Sequence, residues 1–309
     1  MGLRIAIFGQ APFGRDVCER LADVGNEIVA VYTPPAGARA DPLAELSQAR
    51  GFRLFRHKRF RKQGVAIPEL VDEYRSLGAD LNVLPFTTVI LPPEIIDDPA
   101  HGSICFHPSL LPKYRGGNAL AWQIIHGEKE SGVSVFRVTE GVDEGPLLVQ
   151  KAGVPISDSD TMASLYFDKL YGLGVDAVVE AVEAIANGTA RYTPQVEAGA
   201  SFQGLVDDEV ARIDWSRPAH EIDGLVRGCD PSPGAFGILD GTPVRLFGSR
   251  LLEAAADADM PPGTGLGVES GRLLLAAAGG RLAITKVRVG DAKKLPASDA
   301  GLPAAFRLD

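Results

Sequence analysis

Short apolar runs recur through the first half of the chain, each broken by proline or glycine and followed by residues with helical spacing. Arg4 to Phe8 reads as a buried strand. Gly9-Gln-Ala-Pro-Phe-Gly14 follows it, and a helical pattern then continues to about Val24. Glu27 to Tyr32 is a second strand, ended by Pro34-Pro35, and residues 42–50 and 68–76 carry helical spacing. Asp80 to Leu84 is a strand stopped by Pro85, and Ser103 to Phe106 another stopped by Pro108. Strands that alternate with helices predict an α/β domain, a mostly parallel sheet with helices on both faces. Ligands of such sheets bind beyond the carboxyl ends of the strands. His107 and Pro85-Phe86 both fall there.

Asn118 to His126 reads as a short helix with Asn118 at its N-cap. Gly132 to Arg137 and Leu147 to Val154 are strand-like. A long amphipathic helix is expected from about Asp160 to Ile185, closed by Asn187-Gly188. The character changes after that. Residues 190–207 are polar and Gly-rich, as in a linker, and Pro218 to Arg227 is one more helix. The remaining runs, Ala235–Leu239, Val244–Leu252, Arg272–Ala277 and Leu282–Val289, alternate with turns. Asp240-Gly241, Ser270-Gly271 and Gly279-Gly280 are hairpin signals. Residues 254–262 read as a loop. The pattern predicts a first domain over 1–189, a linker over 190–207 and a small β-barrel over 208–309.

Composition narrows the class. Hydrophobic residues make up 45% and charged residues 23%, as in a water-soluble globular protein. The net charge of -9 argues mildly against nucleic acid as the main partner, because a phosphate backbone demands clustered Lys and Arg. Cys18, Cys105 and Cys229 are scattered, with no metal-ligand spacing, so neither disulfides nor a metal site is expected. No apolar run has the length of a membrane helix, and the N-terminus has no signal-peptide pattern. A cytoplasmic enzyme is the expectation.

Candidate chemistry sits in two loops. His107 ends an apolar run and is followed by Pro-Ser-Leu-Leu-Pro, whose prolines stiffen the backbone around it. Asp143 lies in Gly141-Val-Asp-Glu-Gly145. An imidazole and a carboxylate form an acid/base pair if the fold brings the loops together; taken alone, the first is an ordinary polar strand end and the second a common turn residue. Cys105 projects to the same strand face as His107 and reads as a small core residue rather than a reactive thiol. Gly9-x-x-x-x-Gly14 is followed by Arg15-Asp16 rather than Lys-Ser/Thr, and reads as a tight turn rather than a phosphate loop. The run Arg53, Arg56, His57, Lys58, Arg59, Arg61 and Lys62 is either a solvated face or a contact for an anionic tail. Trp122 and Trp215 read as packing residues.

The string His107-Pro-Ser-Leu-Leu-Pro-Lys-Tyr-Arg-Gly116 resembles the signature of the formyltransferase family, and Gly141-Val-Asp-Glu-Gly145 resembles the loop that carries that family's catalytic aspartate. Ile213-Asp-Trp-Ser-Arg-Pro218 and Arg227-Gly-Cys-Asp-Pro-Ser-Pro-Gly-Ala235 resemble the second domain of methionyl-tRNA formyltransferases. Ala40-Asp-Pro-Leu43, Asn82-Val-Leu-Pro-Phe86, His101-Gly-Ser-Ile104, Trp122-Gln-Ile-Ile-His-Gly127 and Leu147-Leu-Val-Gln-Lys151 are closer to the N-terminal hydrolase domain of 10-formyltetrahydrofolate dehydrogenases. The resemblance implies a Rossmann-like domain followed by an OB-like β-barrel. It also implies 10-formyltetrahydrofolate as formyl donor, His107 and Asp143 as the catalytic pair, and no metal. Folate would meet Phe86, Thr88, Ile90, Leu91, Glu140, Gly141 and Val142. One position departs from the pattern: where the transferases carry Asn as an oxyanion donor, this chain has Cys105. A thiol donates weakly. That favours water or an unusual amine as acceptor over tRNA, although transfer to methionyl-tRNA or to an amino sugar stays open. A catalytically silent folate-binding module is the rival of another class.

Overall fold

The structure, a computed structural model, describes residues 2–253 and 260–309, so much of the loop read over 254–262 lies outside the described residues. The chain forms two compact units, each assembled from separate segments. The first comprises Met1–Arg115, Gly132–Ala152 and Leu170–Ser201, and the second Gly116–Ser131, Gly153–Lys169 and Phe202–Asp309.

The first unit is built on a seven-stranded sheet. Its strands lie in the order Leu147–Pro155, Glu130–Arg137, Ser103–His107, Leu81–Phe86, Arg4–Gly9, Glu27–Thr33 and Leu54–Arg56. Arg4–Gly9 pairs in parallel with both of its neighbours, and Leu81–Phe86 pairs in parallel with Ser103–His107. The pairing of Ser103–His107 with Glu130–Arg137 is antiparallel. The chain runs outward from Arg4–Gly9 in one direction and then crosses to its other side, so the carboxyl end of that strand is the switch point where such sheets open a crevice.

Pro85 does not stop its strand, contrary to the expectation from sequence: the strand continues to Phe86. The register with Arg4–Gly9 shifts between Ile7 and Gly9, and this irregularity absorbs the proline that cannot donate to the ladder. Gly9 and Gly14 behave as packing glycines. A Cβ on Gly9 would stand 3.1 Å from Pro85 Cγ, and one on Gly14 3.2 Å from Leu43 Cδ2.

The two faces of this sheet are covered differently. On one, Phe106 meets Phe13 of helix Ala11–Asp23 at 4.4 Å between ring centroids, and Gly174 of helix Tyr171–Ala186 leaves room for its ring. On the other, Asn82 is fully buried and fully bonded. It accepts from Tyr74 Oη at 2.8 Å and donates to the Ile95 carbonyl at 2.8 Å and to Ser103 Oγ at 3.0 Å. Ser103 Oγ in turn donates to the Ile96 carbonyl. These bonds fix helices Pro68–Arg75 and Pro93–Ile96 to the sheet and satisfy the Asn82 amide that they bury. Ser103, Cys105 and His107 alternate onto this same face.

The second unit holds the antiparallel β domain. Its sheet has the order Phe236–Leu239, Thr242–Leu252, Gly280–Val289, Arg272–Ala277 and Gly265–Glu269, with Leu295–Pro296 added on Gly280–Val289. Asp240-Gly241 and Ser270-Gly271 both adopt positive φ, as two-residue hairpins require. Trp215 is buried in the core of this sheet with Ile222, Val226, Leu246, Leu275 and Ile284.

Two helices differ from the sequence pattern. Asn118 does precede helix Ala119–Ile125, but at φ 52°, and its side chain makes no cap. Its Oδ1 instead accepts from Val206 N at 2.9 Å. The long helix expected from Asp160 is interrupted: Met162–Ser164 is α, Leu165–Leu170 is π and Tyr171–Ala186 is α. Asp160 lies outside it, because Thr161 and Ser164 form a capping box and Asp160 turns to accept from Ser157 N and Lys169 Nζ. Among the described residues, no helix is long and apolar enough to cross a membrane.

Candidate active site

His107 is the last residue of Ser103–His107, and its side chain is 7% exposed. Its Nε2 lies 2.6 Å from the Tyr114 carbonyl oxygen. A carbonyl only accepts, so Nε2 must carry the proton. In the neutral ring the lone pair is therefore on Nδ1. Nδ1 lies 3.5 Å from Asp143 Oδ2, whose side chain is 18% exposed. The structure thus brings together the two side chains that the sequence could only nominate.

The loop that follows His107 is folded on its own hydrogen bonds. Ser109 Oγ donates to the Lys113 carbonyl at 2.7 Å, and Ser134 Oγ donates to the Ser109 carbonyl at 2.7 Å. Gln150 Nε2 donates to the Leu111 carbonyl and to Ser134 Oγ. Tyr114 takes φ 61°, and its N–H donates to Ser201 Oγ at 2.8 Å, which aims its carbonyl at the imidazole.

Asp143 reaches the histidine because of how its loop leaves the sheet. Glu130–Arg137 runs antiparallel to Ser103–His107, so its last residue, Arg137, lies opposite Ile104 and not beside His107. The chain must fold back over the strand face. It starts with Val138 N donating to the Ser103 carbonyl and ends with Arg137 N donating to the Pro146 carbonyl. Gly145 is required there, since a Cβ would fall 1.7 Å from the Arg137 oxygen. Asp143 itself has φ 53°. That left-handed conformation costs on the order of 1 kcal/mol in a residue other than glycine.

Cys105 is half-buried on the face that this loop covers. Burial, and secondarily the charge of Asp143, push its thiol well above the ordinary value. It stays a neutral S–H at physiological pH, which removes it as a thiolate nucleophile and leaves a weak donor.

The other predicted positions differ in exposure. Phe86 (45% exposed), Ile90 and Val142 are open to solvent, as are Thr88 and Glu140, and Gly141 is partly covered. Leu91 differs: its side chain is buried in the core beside Phe8 and Ile95. Its carbonyl accepts from Arg61 Nη2. Within the basic run, His57 pairs with Glu73 at 2.9 Å, while Arg53, Arg56, Lys58, Arg59 and Lys62 are exposed. Trp215 packs in a core, and Trp122 Nε1 donates to the Gly204 carbonyl.

Four groups that support the pair were not singled out from sequence: the Tyr114 carbonyl, which meets His107 directly, and Ser201, Gln195 and Arg115, which act through the backbone around it. Tyr114 and Arg115 lie in the quoted string after His107. Gln195 and Ser201 lie in the polar stretch read as a linker, where nothing in the residue pattern distinguishes them.

The family model described as formyl transferase matches residues 3–182, and the model of the formyl transferase C-terminal domain matches residues 205–301. The chain belongs to the formyltransferase family, whose members are enzymes. Among curated relatives, the mitochondrial 10-formyltetrahydrofolate dehydrogenase of Mus musculus is 39% identical over 96% of this chain, and the cytosolic one is 40% identical over 96%. The chain spans about a third of the length of those relatives, 33% and 34%. The methionyl-tRNA formyltransferase of Phenylobacterium zucineum is 34% identical over 93% of this chain and 92% of its own length. Among solved structures, HypX from Aquifex aeolicus in complex with tetrahydrofolic acid shares the fold at TM-score 0.70 and 23% identity, over 96% of this chain and 46% of its own.

Proposed function

We propose that this chain binds 10-formyltetrahydrofolate and cleaves the bond between N10 and the formyl carbon, with water as the preferred acceptor. The observation that carries this reading is the His107–Asp143 pair, 3.5 Å apart with the ring's far nitrogen committed to Tyr114. The family membership supplies the reaction class, and the names of two relatives supply the donor.

In this reading the neutral His107 Nδ1 takes a proton from water as the water oxygen attacks the formyl carbon. Asp143 stabilises the resulting imidazolium and orients the ring. The tetrahedral intermediate then collapses. N10 leaves with the proton returned from Nδ1, and the products are tetrahydrofolate and formic acid, which ionises to formate by releasing its remaining proton to solvent. The pterin and its linkage are assigned to the open rim of Phe86, Thr88, Ile90, Glu140, Gly141 and Val142. Cys105 supports water over an amine acceptor, because a neutral thiol replaces the stronger amide donor that efficient transferases place there. The match to a methionyl-tRNA formyltransferase over nearly its whole length supports transfer to an amine as the second reading. The organisation that accompanies both readings is a catalytic domain over 1–189, a connecting segment over 190–207 and a C-terminal domain over 208–309.

The test is direct. His107→Ala and Asp143→Asn are each expected to lower formyl release from 10-formyltetrahydrofolate by at least ~10²-fold while folate still binds. Parallel reactions with and without candidate amines, followed by identification of the formyl carbon's destination, distinguish hydrolysis from transfer. Full activity in both variants refutes the proposed chemistry.

A further inference from the structure

A single side chain holds the backbone on both sides of Glu144, the residue after Asp143. Gln195 Nε2 donates to the Asp143 carbonyl at 2.8 Å and to the Gly145 carbonyl at 2.7 Å. The opposite end of the same amide faces Arg115. Arg115 Nε and Nη2 donate to Gln195 Oε1 at 3.1 and 2.9 Å. A guanidinium only donates and a backbone carbonyl only accepts, so the amide has one orientation that satisfies both sides.

Arg115 is itself held. Its side chain is 9% exposed, and Nη1 and Nη2 donate to the two carboxylate oxygens of Glu197 at 3.1 and 2.7 Å. Its backbone N–H donates to the Ser201 carbonyl at 2.9 Å. The residue before it, Tyr114, is the one whose carbonyl accepts from His107. Arg115 therefore connects the two halves of the pair. Its backbone continues the segment that orients the imidazole, and its guanidinium orients the amide that grips the carboxylate's loop.

The grip falls where it is needed. Asp143 is held at φ 53°, a conformation that the loop has no intrinsic reason to keep. Two hydrogen bonds to the carbonyls on either side of Glu144 oppose its relaxation. We propose that Gln195, oriented by Arg115, is the positioning residue that sets Asp143 against His107. This rests on the catalytic roles assigned to those two residues above. Gln195 touches neither ring nor carboxylate and acts only through the loop backbone.

The test is a double-mutant cycle on the full chain. Gln195→Met keeps the length of the side chain and removes both donors. It is expected to lower kcat for formate release from 10-formyltetrahydrofolate by about 10- to 100-fold, as a misplaced catalytic group does. Binding of tetrahydrofolate is expected to stay within about twofold of the wild type under the same principle, because the rim residues are untouched. In the Asp143→Asn background the same substitution is expected to cost nothing further. Equal losses in the two backgrounds overturn the proposal, since they assign Gln195 a role that does not pass through Asp143. So does wild-type kcat in Gln195→Met. If Gln195→Met does not fold, Arg115→Lys replaces it in the cycle. A lysine keeps the charge beside Glu197 but cannot fork to Gln195 and Glu197 together, and the same non-additivity is expected. Wild-type activity in Asp143→Asn alone is a different result: it refutes the catalytic pair, and the positioning role falls with it.

Discussion

Replacing Gly145 with alanine tests whether the loop's path, rather than its chemistry, sets the rate. Gly145 has an ordinary backbone conformation among the residues described, so the effect is one of space. A Cβ there stands 1.7 Å from the Arg137 carbonyl oxygen, and approaches under 3.0 Å do not occur in real packing. The chain must give by about 1.3 Å, the difference between those distances. Neither side of the contact is a flexible side chain, so the movement is taken by the backbone two residues from Asp143. A displacement of ~1 Å in a catalytic group costs on the order of 10² in rate, or about 2.7 kcal/mol of barrier. The expected result is a loss of that size in single-turnover formate release from 10-formyltetrahydrofolate, with tetrahydrofolate affinity changed far less. Overpacking is expected to lower stability by roughly 1–3 kcal/mol, so the assay runs well below the unfolding midpoint. Gly172→Ala is the matched control. Its Cβ meets no heavy atom within 4 Å, and it lies in helix Tyr171–Ala186. Turnover is expected to be unchanged there, and stability to rise by up to ~1 kcal/mol. A Gly145→Ala protein that turns over within about twofold of the wild type refutes the link between loop path and rate.

Other expectations follow from the same structure. Tyr74→Phe removes the donor to buried Asn82 Oδ1, and urea unfolding is expected to show a loss of about 1–3 kcal/mol; an unchanged midpoint would mean that the amide finds another partner. Asp160 has an opposite sense to Cys105. Burial alone would raise it, but hydrogen bonds from Lys169 and Ser157 outweigh burial and hold its carboxyl below the ordinary value. A carboxylate with a depressed folded value stabilises the protein above its unfolded value, and that contribution disappears as the pH falls through the folded one, below about 4. Asp160→Asn is therefore expected to lower stability at pH 7 and to flatten the acid limb of the stability curve; an unaltered limb counts against the assignment. If the proposed reaction holds, Cys105→Asn supplies a stronger donor on the strand face that carries His107 and is expected to raise amine formylation relative to formate release, read as a product ratio. An unchanged ratio removes Cys105 from the explanation of acceptor choice.

The parts of this molecule that were legible in sequence are those written in local pattern. Alternating apolar runs and helical spacing located the strands Arg4–Gly9, Glu27–Thr33 and Ser103–His107, and the hairpins at Asp240-Gly241 and Ser270-Gly271 were legible because positive φ demands particular residues. The illegible parts depend on partners distant in the chain. Asn118 looked like a cap, but Val206 claims its side chain from 88 positions away. Pro85 looked like a strand end, but a register irregularity across from Ile7 and Gly9 accommodates it. Asp160 looked like the start of a helix, but Lys169 and Ser157 hold it outside. The same distinction divides the site. His107 and Asp143 stood out because each lies in a distinctive string, whereas Gln195 is one glutamine in a polar stretch and acquires a role only when Arg115 and the Asp143 loop are folded against it.

The bond from His107 Nε2 to Tyr114 leaves the imidazole with a single door. The ring cannot turn over without breaking a 2.6 Å contact, so traffic of hydrogen through it enters and leaves on the Asp143 side. In the proposed reaction the hydrogen lifted from water is the one delivered to the departing amine, and the ring returns to its starting form without borrowing from bulk solvent. Such a site resets itself within each turnover, a consequence of which ring nitrogen the backbone has already occupied.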